Sequence, residues 1–256
     1  MIKIQVNQPV SMFQMSFIQL SHRENISTIT LDRPEKKNAI NSEMRQALIE
    51  TLCSKDALGS VVILESSSDA FCAGMDLSES PGEKEVREIW KIAEAIYNHS
   101  SIFIAKVRGV ARGGGLTLVN ACDLAIADPT ANFGMPEIRY GIYPAVVGPT
   151  TQAAILKKHV AMMALTGDAI TAERAERIGI VNEVVSENQL NKRAQEIAQQ
   201  LAPLNATALA ATKNAVNTFP MSAEERSYGF ELAIETNQML MGADSLDVGE
   251  EVYGRY

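Results

Sequence analysis

The segment FIQLSHRENISTITLD, residues 17–32, alternates apolar and polar positions on either side of a polar stretch, His22 to Asn25. A period of two turns one face of an extended chain inward, so this stretch predicts a β-hairpin. The period then lengthens. In INSEMRQALIETL, Met44, Ala47, Leu48, Thr51 and Leu52 recur at helical spacing behind Asn41 or Ser42, either of which can cap a helix N-terminus. SVVILES follows as an unbroken apolar run, the pattern of a buried strand. Beyond the turn-rich SSSDAFCAGMDLSESPGE, Val86, Ile89, Trp90, Ala93 and Ile96 share the face of a second helix. A strand in SIFIAKVRG, three glycines, a short helix and a strand in LAIAD complete the rhythm. Strands at Val61 to Leu64, Ile102 to Val107 and Leu124 to Ala127 with helices between them predict a layered α/β core. From Thr171 the pattern is mostly helical: TAERAERIG stops at Gly179, IVNEVV reads as a last strand, and two long helical stretches run to about Met241. Residues 1–200 therefore form the predicted core, with 1–15 a loose or strand-like extension, and residues 201–256 a helical region.

Composition narrows the chemistry. With 256 residues, 46% of them hydrophobic, the chain can bury a large core. The 23 basic and 31 acidic residues give a net charge of -8, and no basic run with interleaved aromatics marks a nucleic-acid surface. Cys53, Cys72 and Cys122 are far apart and lack the spacing of a zinc site or a disulfide framework, so a reducing cytoplasm and no metal are expected. MIKIQVNQPVSMFQMSF lacks the continuous apolar core of a signal peptide, and no later segment is apolar enough to span a membrane.

Candidate chemistry centres on VRGVARGGGLTLVNACD, Val107 to Asp123. A dinucleotide fingerprint fails because Leu118 stands where its third glycine belongs, and a P-loop fails because Gly115 and Leu116 replace its Lys and Ser/Thr. What survives is a glycine turn opening a helix, where free N–H groups and the helix dipole favour negative charge. AFCAGMDL, Ala70 to Leu77, is a second glycine turn after a strand, and it can aim the N–H of Met75 at the same point as that of Gly114. Two backbone donors on one oxygen make an oxyanion hole.

LDRPEKKNAIN, AFCAGMDL, KVRGVARGGGLTLVNACDLAIAD, ANFGMPEIRYGIYP and LTGDAITAERAERIGIVNEVV stand in the order and spacing of the crotonase superfamily, the enoyl-CoA hydratase/isomerase family, which the chain resembles from about Phe17 to Asn217. The resemblance implies a spiral of ββα turns with a C-terminal helical trimerisation region, assembled as a homotrimer or a dimer of trimers. It implies an unsaturated or 3-hydroxy acyl thioester substrate whose oxygen sits between the N–H groups of Met75 and Gly114. CoA or phosphopantetheine enters as part of that substrate rather than as a separate cofactor. Ala73, Gly113 and Thr117 would line the substrate, and Lys36 and Lys37 would meet the CoA nucleotide. Hydratases of the family carry one glutamate three positions after the middle glycine and another after FG-x-P; here these positions hold Thr117 and Glu137. One carboxylate of the pair is left, which disfavours addition of water and favours moving a proton between carbons with Glu137 as carrier. Asp76 and Glu79 read as a cap and a solvated side chain, and His22, His99 and His159 as structural.

Two alternatives accompany that expectation. YGIYPAVVGP and the missing glutamate also resemble the branch that dehydrates 3-hydroxy-3-methylglutaryl units on acyl carrier protein in polyketide pathways, and the methylglutaconyl-CoA hydratases. Where family members commonly end in an aromatic followed by Lys/Arg that helps bind the nucleotide, this sequence reads DVGEEVYGRY, with one Arg255 and two nearby glutamates, which a carrier-bound substrate would tolerate. A catalytically silent oligomeric scaffold is the other alternative, and the retained Glu137 weighs against it.

Overall fold

The computed structural model describes residues 11–15, 17–54, 58–79, 82–218 and 222–242. Strands β1 (Ser11–Met15), β2 (Ile18–Arg23) and β3 (Ile26–Leu31) run antiparallel, so residues 11–15 of the predicted extension are a sheet edge. The chain continues through α1 (Ser42–Cys53), β4 (Val61–Ser66), α2 (Glu83–Asn98), β5 (Ile102–Val107), β6 (Val110–Arg112), α3 (Gly114–Ala121), β7 (Leu124–Ala127) and β8 (Asn132–Gly134). It then forms α4 (Val147–Ala154), α5 (Lys157–Thr166), β9 (Ile170–Thr171), α6 (Ala172–Ile178), β10 (Glu183–Val184), α7 (Glu187–Leu201), α8 (Ala206–Thr218) and α9 (Ala223–Gly242).

Among the described residues the main sheet has the order β1-β2-β3-β4-β5-β7-β10, parallel from β3 onward. A second layer lies beside it. Ile40 bridges to Met75, Cys72 bridges to Ala111, and β6 pairs with β8, which pairs with β9. Each strand of the main sheet from β3 to β7 is thus followed, a few residues later, by a segment of the second layer. Repetition of that step winds the chain into a spiral.

The parallel strands are buried on both faces, as helix-covered parallel sheets are. Val62, Leu64, Phe103 and Ala105 face the large core, while Val61, Ile63, Ile104 and Ile126 pack under Leu190 and Ala198 of α7. The predicted hairpin and helix faces are present: Asn41 accepts the Met44 amide to cap α1, and Gly179 ends α6 in the left-handed region. Three differences emerge. The last strand keeps only Glu183 and Val184, because Ile180 and Val181 turn into the core. The two long helical stretches are three helices, α7, α8 and α9. Finally, β6, β8, α4 and α5 were not expected, the strands being three residues each and too short to show a period.

Two buried contacts help to tie down the C-terminal helices. Phe230 of α9 stacks on Trp90 of α2 at 4.7 Å. Lys213 of α8 is buried, and its Nζ donates to the carbonyls of Ile96 (2.7 Å) and Ser101 (2.9 Å) while pairing with Asp123 at 2.9 Å. All three ammonium protons are therefore used. Lys213→Met leaves the Asp123 carboxylate with the Phe103 amide but no counter-ion and takes a donor from Ser101 O, and should cost about 3–5 kcal/mol, read as a lowered denaturation midpoint at unchanged slope.

Candidate active site

The first glycine turn is stitched into the second layer on one side only. Ile40 N–H donates to Gly74 O (2.7 Å) and Asp76 N–H donates to Ile40 O (3.0 Å), so the intervening N–H of Met75 points the other way. It has no acceptor among the described residues. Gly74 takes φ +107°, a left-handed value suited to glycine, and its amide rests on the Cys72 sulfur at 3.4 Å. Ala73 N–H donates to Lys37 O at 3.0 Å, which joins this turn to the segment before α1.

The second turn lies against the first. Gly113, at φ +50°, donates its N–H to Gly134 O (3.1 Å) and accepts at its carbonyl from the Thr117 amide (3.0 Å) and the Thr117 hydroxyl (3.3 Å). The three glycines have different grounds. Gly113 needs the left-handed backbone. At Gly115 a Cβ would overlap the Cys72 carbonyl oxygen. At Gly114 a Cβ would meet only ordinary contacts, 3.7 Å from Gly74 and from Ile40, so packing among the described residues does not demand a glycine there. Its N–H opens α3 and is left without a helical acceptor.

Glu137 closes the cluster. It lies on a short 3₁₀ turn, Pro136–Tyr140, directly after β8, and its Oε1 would stand 2.9 Å from a Cβ on Gly113. Oε2 is buried with no hydrogen-bond partner. Burial raises the carboxyl from 4.5 to about 7, against a smaller lowering by its own backbone amide. The turns bearing Met75 and Gly114 thus meet beside a carboxyl poised near neutrality. Thr117 is wholly buried on the same helix, with its hydroxyl committed to Gly113 O.

The remaining candidates separate from this cluster. Lys36 and Lys37 are exposed around a 3₁₀ turn, Pro34–Lys36. Asp76 is capped by the Ser78 amide (3.0 Å) and paired with Arg33 (2.6 Å). Burial raises its carboxyl, but the Ser78 and Arg33 contacts outweigh that and bring it to about 2. Glu79 is not simply solvated: it accepts from the Ser42 amide (2.9 Å) at the start of α1 and pairs with Arg45. His22, His99 and His159 bond to Ser27, Ser101 and Arg174 respectively. A groove of about 480 Å³ between α1 and α2 is lined by Arg45, Glu85 and Glu88, not by Gly114 or Glu137. Among the described residues no cluster of metal-binding side chains occurs, and no helix is long and apolar enough to cross a membrane.

Sequence reasoning missed one supporting residue. Asn38 is fully buried at φ +54° and donates to Ala70 O at 2.7 Å, bracing the first turn from below. Asparagine tolerates the left-handed region, and that was the available signal.

Comparison with known proteins agrees with this geometry. The enoyl-CoA hydratase/isomerase family model matches residues 21–243. The 2,3-dehydroadipyl-CoA hydratase of Escherichia coli K12 is 31% identical over 213 residues, 79% of this chain and 82% of that protein. The 1,2-epoxyphenylacetyl-CoA isomerase of the same organism is 32% identical over 252 residues, 93% of this chain and 94% of that protein. A crystal structure of an enoyl-CoA hydratase/isomerase from Xanthobacter autotrophicus Py2 superimposes with a TM-score of 0.82 at 27% identity, covering 91% of this chain and 90% of that one. The spiral with its paired glycine turns is the crotonase fold, and the chain belongs to the enoyl-CoA hydratase/isomerase family of enzymes.

Proposed function

We propose that this enzyme shifts a double bond within an unsaturated acyl thioester. Glu137 takes a proton from Cα, and the electron pair passes to the thioester oxygen, which the N–H groups of Met75 and Gly114 hold as an enolate. The same carboxyl returns the proton to Cγ, the carbonyl re-forms and the double bond ends between Cα and Cβ. No redox partner is needed. The observation that carries the reading is the buried Glu137 carboxyl beside Gly113, with Oε2 lacking a hydrogen-bond partner and its proton affinity raised to near neutrality. Hydration is less well served, because the second carboxylate is replaced by a buried threonine whose hydroxyl is already bonded. The relative aligned over 93% of this chain is named an isomerase of a CoA thioester, which supports the same side, while the one aligned over 79% is named a hydratase.

Substrate contacts at Ala73, Gly113, Lys36 and Lys37 belong to this proposal. So does assembly as a homotrimer or dimer of trimers, for which the exposed Leu156, Met162 and Leu165 at and along α5 are the first surface to examine. The choice between CoA and carrier protein rested on the tail, which lies outside the described residues.

The reaction is tested with a 3-enoyl-CoA in oxygen-18 water. Conversion to the 2-enoyl product without label agrees with the proposal, whereas no conversion of the 3-enoyl substrate with uptake of label by a 2-enoyl-CoA makes the enzyme a hydratase.

Ionised Glu137 is the base, so kcat/KM should rise with pH up to about 7 and level off above it. Stability has the opposite sign. A carboxyl raised from 4.5 in the folded state contributes fully below its ordinary value and loses that contribution as pH climbs through about 7. Glu137→Gln should therefore fold, abolish exchange of Cα protons with deuterated buffer, and gain on the order of 1–3 kcal/mol of stability at alkaline pH. Retained turnover in this variant contradicts the single-base reading.

Gly114 occupies the first position of α3, where proline suits the helix. Gly114→Pro removes the N–H and crowds the thioester, and should cost about 3–4 kcal/mol of transition-state stabilisation, roughly a hundredfold or more in rate. A folded, fully active Gly114→Pro enzyme contradicts the assignment of that donor.

A further inference from the structure

Thr117 stands where a catalytic carboxylate would be expected, yet its side chain turns toward the backbone. Its hydroxyl donates to Gly113 O at 3.3 Å, and its amide donates to the same oxygen at 3.0 Å. Threonine hydroxyls in helices often bond the carbonyl four residues back. This particular carbonyl, however, belongs to the peptide whose N–H is the free amide of Gly114. Peptide groups are planar, so two donors on the oxygen fix the direction of that N–H. They also draw electron density toward oxygen, which makes the N–H a stronger donor, because hydrogen bonds in series polarise one another. Thr117 is wholly buried, so water does not compete for the contact. The Met75 N–H is held differently: its peptide oxygen, Gly74 O, takes the Ile40 amide at 2.7 Å and has only a thiol, Cys72, at 3.9 Å as a side-chain neighbour.

We infer that Thr117 is a positioning residue for the oxyanion site, its hydroxyl orienting and polarising the Gly113–Gly114 peptide rather than contacting water or substrate. This rests on the oxyanion reading given above. On this reading the position supplies support for the enolate in place of a base.

Thr117→Val keeps the shape and removes the hydroxyl, and Thr117→Ser keeps the hydroxyl. Turnover of a 3-enoyl-CoA should fall roughly fivefold to thirtyfold in Thr117→Val, with KM within about twofold, and should recover to near the parent value in Thr117→Ser. A second readout is independent of chemistry. A series of saturated acyl-CoAs carrying carbon-13 at the thioester carbon is titrated into each protein, and the carbonyl resonance of the bound ligand is followed by NMR. Polarisation by the oxyanion donors moves it downfield in the parent enzyme. Part of that displacement should vanish in Thr117→Val and return in Thr117→Ser, which a role confined to folding would not produce. Full displacement and full turnover in Thr117→Val overturn the positioning role and leave the oxyanion reading standing. A weakened KM with unchanged displacement makes Thr117 a substrate contact and likewise overturns it. Absence of binding or of displacement in the parent enzyme itself defeats the oxyanion reading first, and the positioning role with it.

Discussion

A hydrogen bond to the carbonyl oxygen of a peptide also aims its N–H, because the group is planar. The site depends on that constraint twice. Ile40 grips Gly74 O and leaves the Met75 N–H outward, while Thr117 grips Gly113 O and leaves the Gly114 N–H outward. Everything behind these turns serves to hold the two peptides against each other. The Ile40–Met75 and Cys72–Ala111 bridges carry one turn onto the next, β6 pairs with β8 to bring Pro136 and Glu137 alongside, and Asn38 props the first turn. The spiral matters to function because each winding contributes one of these pieces at the same level.

Placing a carboxyl there runs against stability. Glu137 has an oxygen without a partner, and burial raises its proton affinity. A group that both takes and returns a proton near neutrality needs that environment, since an exposed carboxylate would be too weak a base. Asp76 shows the contrast within a few residues of Met75. Against burial, its contacts with Ser78 and Arg33 lower its carboxyl to about 2 and hold it ionised at the turn. Two carboxylates near one site thus differ in proton affinity, according to the partners each has.

Much of this was legible before any coordinates. Alternation in residues 17–32 gave the hairpin, the helical spacing of Met44 to Leu52 gave α1, and Glu137 and the two glycine turns stood out by motif. Other features left little trace for physical reasons. Strands of three residues, β6 and β8, show no period, yet they carry the second layer. Lys213 left no signal in the sequence, because a lysine in a helix is usually exposed, and only tertiary packing reveals that its ammonium group joins α8 to the core. Glu79 was expected in solvent because its partners, Ser42 and Arg45, are distant in sequence. Thr117 was read for what its hydroxyl could offer a ligand, whereas the fold turns it toward its own helix.

The central claim is that a single buried carboxyl carries the proton from one carbon to the other. The direct measurement starts from a 3-enoyl-CoA with deuterium at Cα, turned over once in ordinary water, and reads the label at Cγ of the 2-enoyl product. One shielded base should deliver part of the original deuterium to Cγ. Where Cα exchange with solvent is slower than turnover, hydrogen at Cγ drawn entirely from water in that first turnover would show that a second donor acts, and would contradict the account.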